Sequence, residues 1–222
     1  MQHHVIIVAG GSGSRMNNAV PKQFMLLQGK PVLAHAIEKF KAFDANINIV
    51  IVLAEEHVAT WNRLKDEYTI DMPHTIALGG PTRFHSVKSG FSAIPSTEGI
   101  FGIHDGARPL VSAAMILECY TMAAKHGNAI PAIPPAETVR QLDGALSKQL
   151  NRSQLRLIQT PQCFRLDDIK MAYEQPYNDL FTDDASVLEA NGGRIFLVAG
   201  ERANLKITTA EDLVIAEVLM NS

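Results

Sequence analysis

The sequence predicts an α/β fold: a mostly parallel sheet with helices on both faces. Two observations carry this. Short apolar runs recur along the 222 residues. Each is too short for a buried helix, rich in β-branched residues and hydrophobic at successive rather than alternate positions, the pattern of a strand covered on both faces. Between the runs lie longer stretches with apolar residues at helical spacing, and strands alternating with helices build parallel sheets. Hydrophobic residues make up 46% of the chain, enough for one substantial core, and the length suits a single domain over residues 1–222.

The first strand, residues 5–9 (VIIVA), empties into Gly10, Gly11 and Gly13 with Ser12 and Ser14 between them. Glycine lets the backbone bend and lets N–H groups approach a ligand with no Cβ in the way. A strand ending in such a loop makes an anion-binding nest at the carboxyl edge of a sheet. Two cations follow, Arg15 and, behind Pro21, Lys22. Both common nucleotide fingerprints are broken. Met16 stands where G-x-G-x-x-G read from Gly11 needs glycine, and Arg15 where the P-loop read from Gly10 needs it. A lone loop of this kind reads equally well as a tight turn with solvated cations. Strand, glycines and cations together favour a phosphate site.

Pro31 opens a predicted helix over 32–43, followed by a strand at 47–53 and an amphipathic helix at 58–68 that contains the only tryptophan, Trp61. A third strand, 74–78, ends in Gly79-Gly80, and Thr82 caps a helix running to 94. The strand 100–104 leads into Asp105-Gly106-Ala107-Arg108-Pro109. A helix over 112–126 is closed by Gly127, and a fifth strand covers 129–133. The pattern then breaks at Pro134-Pro135. Residues 137–156 are polar and alternate around Val139, with an Asp143-Gly144 turn, which predicts a β-hairpin. Too poor in apolar residues to own a core, this segment, about 135–156, reads as a projecting arm or as a surface hairpin. Regular structure resumes with a strand at 157–159, a helix at 166–173, a helix ending at Gly192-Gly193 and a strand at 195–198. Thr208 and Glu211 predict a capping box for a last helix to 220.

The formal charge of −3 gives no basic field to recruit nucleic acid. No apolar run approaches the roughly 20 residues of a membrane span, and the first residues carry no basic segment of a signal peptide. Cys119 and Cys163, the only cysteines, are expected to be unpaired thiols in a reducing cytoplasmic setting.

In an open α/β sheet, ligands bind beyond the carboxyl ends of the strands. That rule collects the first glycine loop, Gly79-Gly80, Asp105–Arg108 and, after the last strand, Lys206. Cations and one carboxylate at a glycine-lined edge suit a triphosphate with a divalent metal, since Mg²⁺ needs only one or two carboxylates beside phosphate oxygens and waters. Read alone, Asp105 could also be a turn cap, and Lys206 a solvated lysine.

The blocks G-G-S-G-S-R-M with P-K-Q at 21–23, G-G-P-T-R-F-H-S-V at 79–87, H-D-G-A-R-P at 104–109, T-P-Q at 160–162, T-D-D-A-S at 182–186 and N-L-K at 204–206 resemble the nucleotidyltransferases of sugar and polyol phosphates, and among them the 2-C-methyl-D-erythritol 4-phosphate cytidylyltransferases. The resemblance spans nearly the whole chain. It implies a Rossmann-like fold and transfer of a cytidylyl group from CTP to a polyol phosphate with release of pyrophosphate, in isoprenoid precursor synthesis. Ribitol 5-phosphate is the alternative acceptor. It further implies Mg²⁺ at Asp105 and a homodimer, with no nucleic-acid or membrane partner. By resemblance, Arg15 and Lys22 stabilise the reacting triphosphate. Ala9, Gly10, Gly11, Gly13, Gly80, Arg83, Ser86, Asp105 and Gly106 bind the nucleotide, with backbone near Ala9 and Gly80 reading the cytosine amine and Ser86 its carbonyl edge. Arg108, Thr182 and Lys206 hold the acceptor, and Thr138 and Arg152 on the arm serve the neighbouring subunit's acceptor site. Four positions depart from the pattern. Pro81 stands in place of an acidic residue, Ala203 in place of an aspartate, and Gly10 and Gly106 in place of alanines.

Overall fold

A computed structural model describes residues 1–11, 20–94, 96 and 98–221. Gly13 and Arg15 therefore lie outside the described residues.

The chain opens with β1 (His3–Val8) and reaches a small ribbon, β2 (Leu26–Leu27) with β3 (Lys30–Pro31). Pro31, with its fixed φ, then launches α1 (Val32–Phe43). Next come β4 (Asn48–Leu53), α2 (Glu55–Glu67), β5 (Thr75–Leu78) and α3 (Arg83–Ser92), the last capped by the Thr82 hydroxyl. β6 (Ile100–Asp105) is followed by α4 (Ala113–His126), which starts on a Ser112 cap and stops at Gly127, whose φ of +92° favours glycine. β7 (Asn128–Ile133), the hairpin β8 (Arg140–Asp143) and β9 (Leu146–Gln149), then β10 (Leu157–Ile158) and β11 (Gln162–Arg165) follow. The chain ends with α5 (Leu166–Ala172), α6 (Asp184–Ala190), β12 (Leu197–Ala199) and α7 (Ala210–Met220).

β1 runs through the middle of an eight-stranded sheet, parallel to β4 on one side and β6 on the other, with β5 beyond β4. In this register Val8 lies beside both Val52 and Asp105. The carboxyl ends of the three central strands are therefore level, and Gly10 and Gly11, which follow β1, line one cleft with Asp105. Beyond β6, β11 enters antiparallel between β6 and β7, β10 continues along β7, and β12 adds a parallel edge.

Side chains alternate between the two faces. Val5 and Ile7 of β1 pack with Leu33, Phe40, Trp61 and Met115 from α1, α2 and α4. Ile6 packs with Val87, Phe91, Ile169 and Leu188 from α3, α5 and α6. A small cluster, Leu27, Val32, Ile207 and Ala216, anchors α7. The mostly parallel sheet with helices on both faces is thus as expected. Two details differ from the sequence reading. β11 is a strand that the short segment after Pro161 did not announce. The capping box of α7 is Thr209 with Asp212, one residue later than Thr208 with Glu211, and Thr208 donates to the same Asp212 carboxylate.

The hairpin forms around Gly144, whose φ is +57°, with Asp143 opposite Leu146. Every residue of β8 and β9 is exposed. Leu142 and Leu146 present 80% and 76% of their surface.

Candidate active site

Two clefts open at the carboxyl edge of the sheet. The first, of about 500 Å³, is lined by Ala9, Gly10, Gly11, Lys22, Gly80 and Arg83, with Asp105 and Lys206 at its inner end. Its glycine edge is held from below. The Gln23 carboxamide is buried and donates to Ala9 O at 2.8 Å, with a longer reach of 3.4 Å to Gly11 O. Ala9 N donates to Val52 O at 2.9 Å. On the opposite wall, Gly80 N donates to the Ser86 hydroxyl at 3.1 Å. A Cβ on Gly80 would collide with His85 Cβ, so this approach of loop to helix requires glycine. Gly106 lines neither cleft. A Cβ there would stand 3.0 Å from Ala9 Cβ and 3.1 Å from Leu33 Cδ1, so Gly106 lets the ends of β1 and β6 come together. Gly10 has room for the alanine that the resemblance would put there, its nearest neighbour being 3.7 Å from an added Cβ.

The second cleft, about 680 Å³, runs from Ile130 and Leu197 past Gln162 and Thr182 to Arg108. Arg83, Asp105 and Lys206 line both clefts, so the two meet over one carboxylate. Lys206 Nζ is 2.9 Å and Arg108 Nε 3.3 Å from Asp105 Oδ2, and Arg83 Nε is 3.8 Å from Oδ1. Burial alone would raise the Asp105 carboxyl. The charges of Arg83, Lys206 and Arg108 outweigh it and hold the group well below the usual carboxylate range.

Arg83 is itself gripped. Asp184, fully buried at the start of α6, accepts both guanidinium arms at 2.7 and 2.6 Å and takes the Tyr173 hydroxyl at 2.6 Å. Burial opposes the guanidinium charge, but Asp184 and then Asp105 overcome it, so the cation is more firmly protonated than a free arginine. Gln162 fixes the same turn, donating to Asp183 Oδ2 and accepting from Ala185 N.

His104 lies beneath the cluster. Its Nε2 donates to Arg108 O at 3.0 Å, so Nδ1 is the acceptor, and the Thr160 hydroxyl donates to it at 3.2 Å. The same Thr160 oxygen accepts from Asp105 N at 3.0 Å. Burial pushes the His104 imidazole down to about 4, so it is a neutral strut.

Most sequence-predicted residues converge here: Ala9, Gly10, Gly11, Lys22, Gly80, Arg83, Ser86, Asp105, Arg108, Thr182 and Lys206 all line one cleft or both. Thr138 and Arg152 do not. They sit exposed on the arm and line neither cleft, and Arg152 Nη1 donates to Ala136 O. Sequence reasoning placed Gln23, Asp184 and Asn204 within family-like blocks but gave none of them a role.

An open α/β sheet with a glycine-lined anion edge and a second cleft across a shared carboxylate defines an enzyme that joins two phosphorylated substrates, a nucleotidyltransferase. The sequence model of the IspD family, 2-C-methyl-D-erythritol 4-phosphate cytidylyltransferase, matches residues 3–222. The chain belongs to this family. It is a cytidylyltransferase that takes CTP and 2-C-methyl-D-erythritol 4-phosphate in isoprenoid biosynthesis. It is 49% identical over 220 residues to the 2-C-methyl-D-erythritol 4-phosphate cytidylyltransferase of Phocaeicola vulgatus, covering 99% of this chain and 100% of that one. The same enzyme of Bacteroides thetaiotaomicron is 45% identical over 220 residues, with 99% and 100% covered. The solved structure of the Francisella tularensis enzyme superposes with a TM-score of 0.81 at 30% identity, covering 98% of this chain and 99% of that one. The ribitol phosphate alternative is not favoured by these matches.

Proposed function

We propose that CTP occupies the first cleft and 2-C-methyl-D-erythritol 4-phosphate the second, and that the acceptor phosphate attacks the α-phosphorus of CTP in line. The observation that carries this is the meeting of the two clefts over Asp105, Lys206 and Arg83. An oxygen of the acceptor phosphate forms the new bond to the α-phosphorus, the bond to the bridging oxygen breaks, and pyrophosphate leaves. A phosphate monoester is already ionised, so the protein supplies no nucleophile. Its work is positioning and neutralisation of charge. Lys22 faces the triphosphate, together with Arg15 from the loop. Backbone at Ala9 and Gly80, with Ser86, reads the base. Arg108, Lys206 and Thr182 receive the acceptor.

Asp105 is the one carboxylate lining the first cleft among the described residues, and no cluster of three metal-ligating side chains occurs among them. Such a donor set fits Mg²⁺ arriving on the triphosphate, with Asp105 as its protein ligand. When bound, the ion would neutralise charge on the phosphate oxygens.

The enzyme is further proposed to be a single-domain homodimer of the cytoplasm, with Thr138 and Arg152 of each arm serving the partner's acceptor cleft. Support comes from the exposed leucines of the hairpin and from Thr138 and Arg152 lining neither cleft of their own chain. Cys119 and Cys163 are free and buried, in keeping with a reducing compartment. Among the described residues no helix is long and apolar enough to cross a membrane.

The test is pyrophosphate release from CTP or UTP with each of the two polyol phosphates. Turnover is expected with CTP and the methylerythritol phosphate. UTP, which offers an acceptor where CTP offers a donor, should be turned over at least about 10²-fold less efficiently. Equal turnover of UTP and CTP, or of ribitol 5-phosphate and the methylerythritol phosphate, would overturn the assignment.

A further inference from the structure

Lys206 reaches Asp105 from a segment, residues 200–209, with no helix or strand of its own. The segment is tied down at its ends. Gly200 N donates to Ala132 O at 3.0 Å, and Ile207 N to Ala107 O at 2.8 Å. Gln159 holds Glu201 from both sides, donating to its carbonyl at 2.7 Å and accepting from its N–H at 3.0 Å.

Between these ties stands Asn204, completely buried. Its Nδ2 donates to Thr160 O at 2.9 Å, and its own carbonyl accepts Arg108 Nη1 at 2.7 Å. Thr160 in turn receives the Asp105 N–H. One carboxamide therefore links the segment carrying Lys206 to the strand end carrying Asp105, and its main chain holds one arm of Arg108. The other face of Arg108 and the tip of Lys206 both rest on Asp105 Oδ2.

Asn204 is also poorly suited to a purely packing role. Its Oδ1 is buried without a hydrogen-bond partner, which is costly. A leucine has the same branched shape and carries no such unpaired oxygen, though it leaves Thr160 O without its donor.

We infer that Asn204 is a positioning residue that sets Arg108 and Lys206 against Asp105, and so shapes the cation pair that receives the acceptor phosphate. This rests on the acceptor assignment of the second cleft. None of the Asn204 contacts reaches Lys22, Gln23, Gly80 or Ser86 in the nucleotide cleft. Arg108 lines the second cleft only, whereas Asp105 and Lys206 line both, so loss of the Nδ2 donor should weaken acceptor use more than nucleotide use, whereas a merely structural role would affect both alike.

The experiment compares Asn204→Leu and Lys206→Ala with the parent, measuring KM for CTP and for 2-C-methyl-D-erythritol 4-phosphate together with the melting temperature. Asn204→Leu should raise the acceptor KM about tenfold or more and change the CTP KM by less than about twofold. Its melting temperature should stay within about 4 °C of the parent's. An unchanged acceptor KM, or equal losses for both substrates, overturns the inference. If Lys206→Ala raises the acceptor KM and Asn204→Leu does not, the inference alone falls. If Lys206→Ala leaves the acceptor KM unmoved, the acceptor assignment falls and the inference with it. Should the leucine variant not fold, Asn204→Ala removes the same donor and gives the same readout. Failure of both to fold would assign Asn204 to stability and overturn its positioning role.

Discussion

Lys22 and His104 make opposite use of charge. Lys22, behind Pro21, lines the first cleft and is proposed as the cation that meets the reacting phosphates. Lys22→Ala should lower kcat by roughly 10²–10³ while the CTP dissociation constant moves much less, because the charge acts where negative charge develops. Single-turnover kinetics with a separate binding titration would reveal the split. A variant keeping half the parent's kcat would remove Lys22 from the reaction. His104, by contrast, is held neutral. Its folded pKa of about 4 lies below the ordinary value near 6.5, so between those limits the unfolded chain binds a proton that the folded one does not. Stability from this group is complete above pH 6.5 and is lost as the pH falls towards 4, by on the order of 3 kcal/mol. In His104→Gln, urea unfolding at pH 7 and pH 4.5 should differ less than in the parent. An unchanged difference would assign the acid sensitivity to other groups. Lys22 and Asp105 were legible in the sequence because each follows a strand, glycine or proline signal directly. Asp184 was legible only as part of a block, because its partner Arg83 lies 101 residues away. Gln23 has its meaning in a backbone carbonyl that no sequence pattern shows.

At the scale of elements, legibility follows local strength of signal. α1 begins at Val32 and ends at Phe43 as the Pro31 boundary and the helical spacing predict. β11 has four residues after a proline and too little sequence to display a period. It is specified by its neighbours, pairing with β6 on one side and β7 on the other. The α7 cap slipped by one because two threonines compete for it and only the three-dimensional position of Asp212 decides. α6 has seven residues and cannot be stable alone. Besides Leu188 in the core and Gln162 at its first turn, it is held by the clasp of Asp184 with Arg83 of α3 and with Tyr173 beyond α5. Asp184→Ala would leave a largely buried guanidinium without its main counter-charge, at a cost of about 3 kcal/mol or more. Chemical denaturation is the measurement, and a loss below about 1 kcal/mol would mean that Arg83 finds solvent instead. Arg83→Lys should rescue little of the clasp, since an ammonium cannot make the same paired contact.

For the whole molecule, the proposed dimer gives the arm a part in completing the site. An isolated two-stranded hairpin is marginal in water, and this one exposes Leu142 and Leu146. A two-fold pair exchanging arms would cover them. Arg152→Ala chains mixed with Lys22→Ala chains should then regain activity, because one site of each mixed dimer carries both defects and the other carries neither. No recovery after verified subunit exchange would mean that Arg152 serves its own subunit or none.

The crowding of basic groups where the clefts meet has a kinetic consequence. The chain as a whole carries −3, yet Arg83 and Lys206 line both clefts, with Lys22 in the first and Arg108 in the second, against the carboxylate of Asp105. A polyanion approaching a chain of net negative charge would be drawn to this cluster of cations, a field that focuses encounter on the clefts. Such steering acts over several ångströms of water and is screened by mobile ions within about 8–10 Å at ordinary ionic strength. Added potassium chloride should therefore depress kcat/KM for CTP while leaving kcat nearly constant, and sulfate at equal ionic strength should depress it further by occupying the clefts themselves.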